Sequence, residues 1–306
     1  MAKIHTFHMC WASPFTSWFS RFALPSLMSP GNIPALIAAG HEVKMTVFTM
    51  QPDMAGIIEA GAYHGANLRV EAFKVDHPTS LRKAQAELLI HAAERALADD
   101  AIFVPASAVT IWSDGSLANC VNVALETDCA VGAIYLLADG ERWDAAGRGP
   151  FADAADLAAA CFDHLHPGSR STLNRDTSRA WLYGLGLQQI SPTLIAARIQ
   201  VPSIAAIRFK PEDIALFRLE HDFRCWDAGF PAALIRSGRY TFLASSELAF
   251  QVNLMRSGKM NLANHRALDE ALGPKVDRRY ALRATLQAEQ ARGFLASIRT
   301  SRSVTL

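Results

Sequence analysis

Residues 101–137, AIFVPASAVTIWSDGSLANCVNVALETDCAVGAIYLL, contain the pattern that decides the fold. Residues 101–104 form a short apolar run typical of a buried strand, and residues 130–137 form a second one. Between them, residues 116–126 have the length and composition of a helix. A strand, a crossing helix and a second strand make the unit from which parallel sheets are built. This stretch therefore predicts an α/β protein.

The same alternation extends towards the N-terminus. The further candidate strands are residues 4–9, 43–48 and 68–73. The further candidate helices are residues 17–28, with Pro25 as a kink, 54–60 and 80–98. We expect one central, mostly parallel sheet of all five strands, flanked by helices and connected by right-handed crossovers.

The pattern changes after Leu137, where ADGERWDAAGRGP (residues 138–150) has the glycines and charges of a long loop. We therefore divide the chain into a first half, residues 1–140, and a second half, residues 141–257, that packs on it. Apolar residues in the last segment, residues 258–306, suggest a helical C-terminal tail.

Composition narrows the classes of function. The 306 residues carry a formal net charge of +1, so no overall field attracts nucleic acid or an anionic membrane. The five cysteines are scattered and never form a C-x-x-C pair, which favours a reducing, cytoplasmic compartment. No apolar run is long enough for a signal peptide or a membrane span, which leaves peripheral membrane contact open.

Ligands of open α/β sheets bind beyond the carboxyl ends of the strands, so the residues after each strand are the first candidates for a site. Neither a G-x-G-x-x-G fingerprint nor a G-x-x-x-x-G-K-[ST] loop occurs, which argues against a Rossmann dinucleotide site and a P-loop. The polar and aromatic residues that follow strands are Trp11, Ser13, Gln51, Asp53, Ser107 and Asp114.

Each of these positions has two interpretations. Trp11 either packs on a base or ribose or is a core residue. Asp53 either contacts a ligand or caps the following helix. Ser107, Ser113 and Asp114 precede a helix whose first turn offers N–H groups to an anion. We expect Trp11, Gln51, Asp53 and Asp114 to line one cleft.

Three stretches carry a resemblance to a known family: KIHTFHMCW (3–11), TVFTMQPD (46–53) and AIFVPASAVTIWSDGSLANCVNVALE (101–126). Together they resemble bacterial GT-A glycosyltransferases of the nucleotide-diphospho-sugar transferase superfamily, over residues 3–137. The resemblance implies a GT-A fold, a nucleotide sugar as co-substrate, and an aspartate pair that holds Mn²⁺ or Mg²⁺ on the diphosphate. Here the expected positions of that pair are Pro105, Ala106 and Ser107, and Asp114 is the only carboxylate of the segment and hence the candidate metal ligand.

The resemblance also implies an acceptor side in the second half, with a carboxylate that takes the proton from the attacking hydroxyl. Asp222, in the cluster EHDFRCWD (220–227), is the first candidate for this general base, and Glu247 is the second. Exposed salt bridges would explain the same cluster. The function so implied is sugar transfer from a nucleotide diphosphate to a hydroxyl of a glycan or glycoconjugate, in bacterial polysaccharide or glycoconjugate synthesis.

Two other functions stay open. A catalytically inert GT-A-like protein that binds a glycan or a partner protein would explain the missing acidic pair. A metal-dependent hydrolase would use His164, His166, His221 and Asp222, although these residues lack a compact ligand motif.

Overall fold

The computed structural model describes residues 1–73, 81–149, 153–166, 185–199, 203–221, 229–257 and 294–304. The strands are β1 (Lys3–Met9), β2 (Glu42–Thr49), β3 (Leu68–Ala72), β4 (Ala101–Pro105), β5 (Thr110–Trp112), β6 (Ala130–Asp139), β7 (Leu185–Ser191), β8 (Leu194–Ile199), β9 (Ile207–Arg208), β10 (Tyr240–Leu243), β11 (Phe250–Met255) and β12 (Phe294–Arg299). The helices are α1 (Phe15–Trp18), α2 (Leu24–Leu27), α3 (Ile33–Ala38), α4 (Met54–Tyr63), α5 (Leu81–Ala98), α6 (Ser116–Thr127), α7 (Gly140–Ala145), α8 (Ala154–Asp163), α9 (Pro211–His221) and α10 (Gly229–Arg236).

The first sheet has the strand order β3-β2-β1-β4-β9. All neighbours in it are parallel except β9, which pairs antiparallel with β4. The central strand β1 is buried along most of its length, as its apolar run predicts, and Ile4 lies between Val43 and Ile102. The predicted α/β class, with mostly parallel sheets and flanking helices, is confirmed.

The fifth predicted strand does not join this sheet. β6 lies in a second sheet of order β10-β6-β11-β5, where its neighbours β10 and β11 run parallel to it. The expectation of one five-stranded sheet is therefore wrong in this detail. The edge of β4 is paired with β9 instead, and a bridge between Val131 of β6 and Ala206, the residue before β9, connects the two sheets.

The expected helical C-terminal tail falls mostly on residues 258–293, which lie outside the described residues. Phe294–Arg299, assigned to that tail, is instead the strand β12, which pairs antiparallel with β8 in a third sheet of order β12-β8-β7. Ala296 and Ile298 are buried whereas Ser297 is half-buried and Arg299 exposed. This period of two is the strand pattern that the prediction of a helix overlooked.

The core is shared between the first two sheets. α6 buries Leu117, Cys120, Val121 and Ala124 on one face, at the spacing of an amphipathic helix. These side chains belong to one cluster of buried residues together with strand residues of both sheets. No helix in the described ranges is long and apolar enough to cross a membrane.

The helix predicted for residues 17–28 is present but irregular. A π-helical turn, Phe19–Ala23, separates α1 from α2, and Pro25 follows it in the first turn of α2. Because proline has no N–H, Pro25 cannot continue the regular hydrogen-bond ladder to the preceding turn. The predicted kink thus takes the form of a wide helical turn.

A buried amide joins this helical segment to the second sheet. Asn32 is fully buried, and its Nδ2 donates to the backbone carbonyls of Ser26, at 2.8 Å, and Ser113, at 3.1 Å. Its Oδ1 accepts from the N–H of Leu117, at 2.9 Å, in the first turn of α6. The expectation that this turn is free to bind an anion is therefore wrong at Leu117, because a side-chain oxygen already occupies the position.

Asn32→Ala would leave the Leu117 N–H without its partner in the interior, and it would remove one bond from each of the carbonyls of Ser26 and Ser113, which keep those from Ser29 and Ser116. We expect it to lower the free energy of unfolding by about 2–4 kcal/mol, measured by urea denaturation. Asn119→Ala is the matched control, since Asn119 makes an exposed hydrogen bond to the Leu248 carbonyl, and it should cost less than about 1 kcal/mol. Equal losses in the two variants would contradict the structural role of Asn32.

Candidate functional site

The order of the first sheet contains a topological switch point. The chain moves from β1 to β2 and β3 on one side, and β4 then adds on the other side of β1. In open α/β sheets the crevice beyond the carboxyl ends of the strands at such a point is where ligands bind. Residues 10–14 follow β1 and residues 106–109 follow β4, and they border what we call the β1/β4 crevice.

The loop after β1 is strained and held in place by a carboxylate. Ala12 has φ = 58°, a left-handed conformation that costs a residue with a β-carbon about 1–2 kcal/mol. Its N–H donates to Oδ2 of Asp53, at 2.9 Å, across the ends of β1 and β2. Asp53 makes no capping hydrogen bond to α4. The carboxylate therefore fixes the loop rather than the helix.

Trp11 is neither a fully buried core residue nor a fully exposed one. Its ring is half-buried and meets Phe73 edge-to-face, with centroids 5.2 Å apart at 81°. Phe73 follows β3, so this pair extends along the carboxyl edge from β1 to β3. Ser13, two residues after Trp11, is exposed, and so is Gln51, which lies within a 3₁₀ turn that also contains Asp53. The sequence pattern places Phe73 at the end of a strand and therefore does not predict its contact with Trp11.

The other border of the crevice is a short turn. The Thr110 N–H donates to the carbonyl of Ser107, at 3.0 Å, and the exposed Ser107 hydroxyl accepts weakly from the Val109 N–H, at 3.5 Å. Ser107 thus presents a hydroxyl on the opposite side of the switch point from Trp11 and Ser13. The nucleotide-binding roles of these residues stay predictions.

Asp114 lies elsewhere. It follows β5, which runs antiparallel to β11, so it emerges where β11 begins, next to the Ser113 N–H that donates to the Phe250 carbonyl at 3.1 Å. The strand β5 was not predicted. Only residues 106–109 separate it from β4, and so short a connection cannot return the chain for a parallel strand.

Asp114 lines a separate cleft, here called the α4 cleft, formed by α4, the π-helical turn and residues 147–149. Trp11, Gln51 and Asp53 do not occur among the described residues that line it, so the expected common cleft with Asp114 is not observed.

The carboxylate of Asp114 is held by Gly31, whose N–H donates to Asp114 Oδ1 at 2.6 Å. A β-carbon on Gly31 would lie 2.8 Å from that oxygen and 2.7 Å from the Gly115 nitrogen, so this approach requires glycine.

The residues present do not fit the divalent cation that the resemblance implies. Pro105, Ala106 and Ser107 offer one side-chain oxygen between them, and Asp114 uses one of its oxygens on Gly31. Within the described ranges no three His, Cys, Asp or Glu side chains come together as a metal site would require.

Of the histidines proposed for a hydrolase, His166 is buried and His164 is half-buried. The His164 ring meets Trp143 edge-to-face at 5.8 Å, and His166 Nε2 lies 3.4 Å from the Arg256 carbonyl. Burial lowers the pKa of His164. Asp222 and the side chain of His221 lie outside what the structure describes, so this alternative gains no support.

The two candidate bases are Asp222 and Glu247. Asp222 lies outside the described residues. Glu247 lies on the surface, where Arg299 Nε is 3.1 Å from its Oε1 and both side chains are more than half exposed. A surface ion pair therefore accounts for Glu247, and its role as a base stays a prediction.

A scan against protein-family models finds no family that matches this chain, and a search of curated proteins finds no relative that matches it.

His8 lies at the carboxyl end of β1, below the loop. It is fully buried, its Nε2 lies 2.9 Å from the Thr6 hydroxyl, and its ring packs on Phe19. Burial lowers its pKa to about 4, and the backbone of Ala106 offsets only part of this effect. The imidazole is therefore neutral at physiological pH and serves as a polar core residue.

This burial predicts a loss of stability in acid. Unfolded His8 binds a proton near pH 6.5 and folded His8 only near pH 4, so the stabilisation is complete above pH 6.5 and is lost as the pH falls towards 4. The loss from this residue amounts to about 3 kcal/mol. His8→Gln should flatten the dependence of the unfolding free energy on pH between 6.5 and 4, whereas His91→Gln, an exposed histidine, should not. Parallel curves for wild type and His8→Gln would contradict this assignment.

Proposed function

We propose that the protein binds a nucleotide-diphosphate sugar in the β1/β4 crevice and transfers the sugar to a hydroxyl of a glycan or glycoconjugate. The observation that carries the proposal is the strained, carboxylate-held loop at the switch point of a mostly parallel sheet. Residues in such sparsely populated conformations cluster at ligand-binding and active sites.

The crevice has chemistry that suits a nucleoside. Trp11 is oriented by its edge contact with Phe73, which leaves a partly exposed indole for stacking on a base. Ser13 and Ser107 offer exposed hydroxyls from the two sides of the switch point, where they suit ribose or phosphate oxygens. Because Asp53 is bonded to the Ala12 N–H, it acts here as a positioning residue for the loop.

In the proposed reaction the acceptor oxygen attacks the anomeric carbon, the bond from that carbon to the diphosphate breaks, and the acceptor proton passes to a carboxylate. Asp222 is our assignment for this base. Glu247 ranks behind it because Arg299 already pairs with its carboxylate. No step of the proposed reaction depends on a metal ion.

A second function, glycan or partner binding without catalysis, is favoured by one specific observation. Pro105 and Ala106 stand where the resemblance implies metal-binding aspartates, so the chain lacks the usual means of stabilising a diphosphate leaving group. Turnover separates the two proposals, since both require binding but only one requires chemistry.

The nucleotide-binding proposal is tested by thermal shift with UDP-, GDP-, dTDP- and ADP-sugars, each with Mn²⁺ and with EDTA. A ligand that binds only the folded state raises the melting temperature. We expect at least one of these compounds to do so in EDTA, and Trp11→Ala to weaken its binding about 5- to 100-fold, the usual worth of base stacking on an aromatic ring.

Ile37→Ala is the control, because Ile37 is an exposed apolar residue of α3, which precedes the amino end of β2. It should leave the affinity unchanged. Absence of binding by all four classes, or equal affinities of wild type and Trp11→Ala, would overturn the nucleotide site.

The role of Asp222 is tested by Asp222→Asn, which keeps the shape of the side chain and removes its basicity. Positioned acid–base catalysis contributes about 10²- to 10⁴-fold, so sugar transfer should fall by that factor while nucleotide-sugar affinity changes little. Glu247→Gln should retain transfer activity. If only Glu247→Gln loses activity, the two assignments are reversed, and a wild type that binds without turnover establishes the inert alternative.

A further inference from the structure

The α4 cleft has a volume of about 1040 Å³ and lies apart from the residues that border the β1/β4 crevice. This is at the upper end of the usual size of small-molecule sites. We propose that it is a second ligand site, which takes a neutral, polyhydroxylated ligand of the size of a short oligosaccharide. The proposal does not require that the crevice hold a nucleotide.

The π-helical turn Phe19–Ala23 is the first reason. Ser20, Arg21 and Phe22 are consecutive residues of this turn, and all three line the cleft. Consecutive residues of a regular α-helix do not face the same way. π-helical turns are rare and occur frequently at functional sites, because the extra residue changes which side chains a helix presents.

Contacts hold three side chains of the lining in place, which is the second reason. His64, at the end of α4, lies with Nε2 3.1 Å from the carbonyl of Ser20. Arg21 pairs with Asp144 of α7, and Arg148 lies 3.4 Å from Asp163 of α8. These contacts restrict the side chains before a ligand arrives, which reduces the entropy lost on binding.

The balance of charges indicates the class of ligand. Among the described residues that line the cleft, Arg21 and Arg148 are matched by Glu59 and Asp114. Both guanidinium groups already have carboxylate partners, Asp144 and Asp163, so the cleft holds no uncompensated positive charge to attract an anion. The carboxylates and guanidinium groups of the lining can instead accept from and donate to the hydroxyls of a neutral ligand.

Apolar surface completes the match to a sugar. Tyr63 lines the cleft with 84% of its surface exposed, and its ring meets that of His64 edge-to-face at 4.9 Å, so it offers an aromatic surface to a ligand. Phe22 and Met28 provide further apolar wall. Pyranose rings have apolar C–H faces between rings of hydroxyls, and such faces pack on aromatic and aliphatic side chains while the hydroxyls reach the polar groups.

The test is titration of the full chain with cellotriose, maltotriose, chitotriose and mannotriose, followed by calorimetry and saturation-transfer NMR. At least one should bind with a Kd of about 10 µM to 1 mM. Tyr63→Ala should weaken that binding about tenfold or more, through loss of the aromatic contact. Ile58→Ala is the matched control on the same helix, since Ile58 is exposed but is not part of the lining, and it should have no effect.

Inorganic phosphate and dodecyl phosphate are the competing probes for an anionic or amphiphilic ligand. Binding of either of these, without binding of any trisaccharide, would overturn the ligand class. A trisaccharide that binds wild type and Tyr63→Ala equally would overturn the site, as would the absence of binding by all four sugars.

Discussion

A buried amide must satisfy its hydrogen-bonding groups inside the protein, and the arrangement of this molecule depends on how Asn32 does so. Its side chain bonds to Ser26 in α2, to Ser113 in the loop before α6 and to Leu117 in the first turn of α6. Around it, Ser26 Oγ accepts from the Trp112 N–H and Ser116 Oγ accepts from the Phe250 N–H. Residues 112–116, WSDGS, thereby connect the helical segment that follows β1 to the strands of the second sheet.

These hydrogen bonds change the interpretation of the sequence motif SDGS (113–116). Serine, aspartate and glycine before a helix favour an anion site when the N–H groups of the helix are free. Here the polar groups of the motif are used internally, and Asp114 is held by the Gly31 N–H. At the end of β4, the turn that contains the exposed Ser107 is still open to a ligand. It lies on the other side of the switch point from the loop that contains Trp11.

The sequence predicted what depends on local patterns and missed what depends on distant partners. β1, β2, β3 and β4 are apolar runs of ordinary length, and all four were found with errors of one or two residues at their ends. β5 has three residues, too few to show a period, and β6 joins the second sheet by pairing with β10 and β11, which follow much later in the chain. The same holds for the site: the positions of Trp11 and Ser107 follow from strand ends, whereas the bond from Asp53 to Ala12 and the burial of Asn32 require the folded chain.

The β1/β4 crevice combines the absence of carboxylates after β4 with a strained loop after β1, and the contrast bears on function. Residues 105–107 carry no carboxylate, which by itself gives no reason to expect ligand chemistry there. Yet the loop after β1 has a non-glycine residue, Ala12, at φ = 58°, and the carboxylate of Asp53 accepts a hydrogen bond from its N–H. Glycine at position 12 would adopt that conformation without the steric cost, so stability alone does not explain the arrangement. A loop held rigidly at a switch point is what ligand binding requires, with or without catalysis, and the absence of the acidic pair therefore affects the chemistry of the crevice more than its capacity to bind.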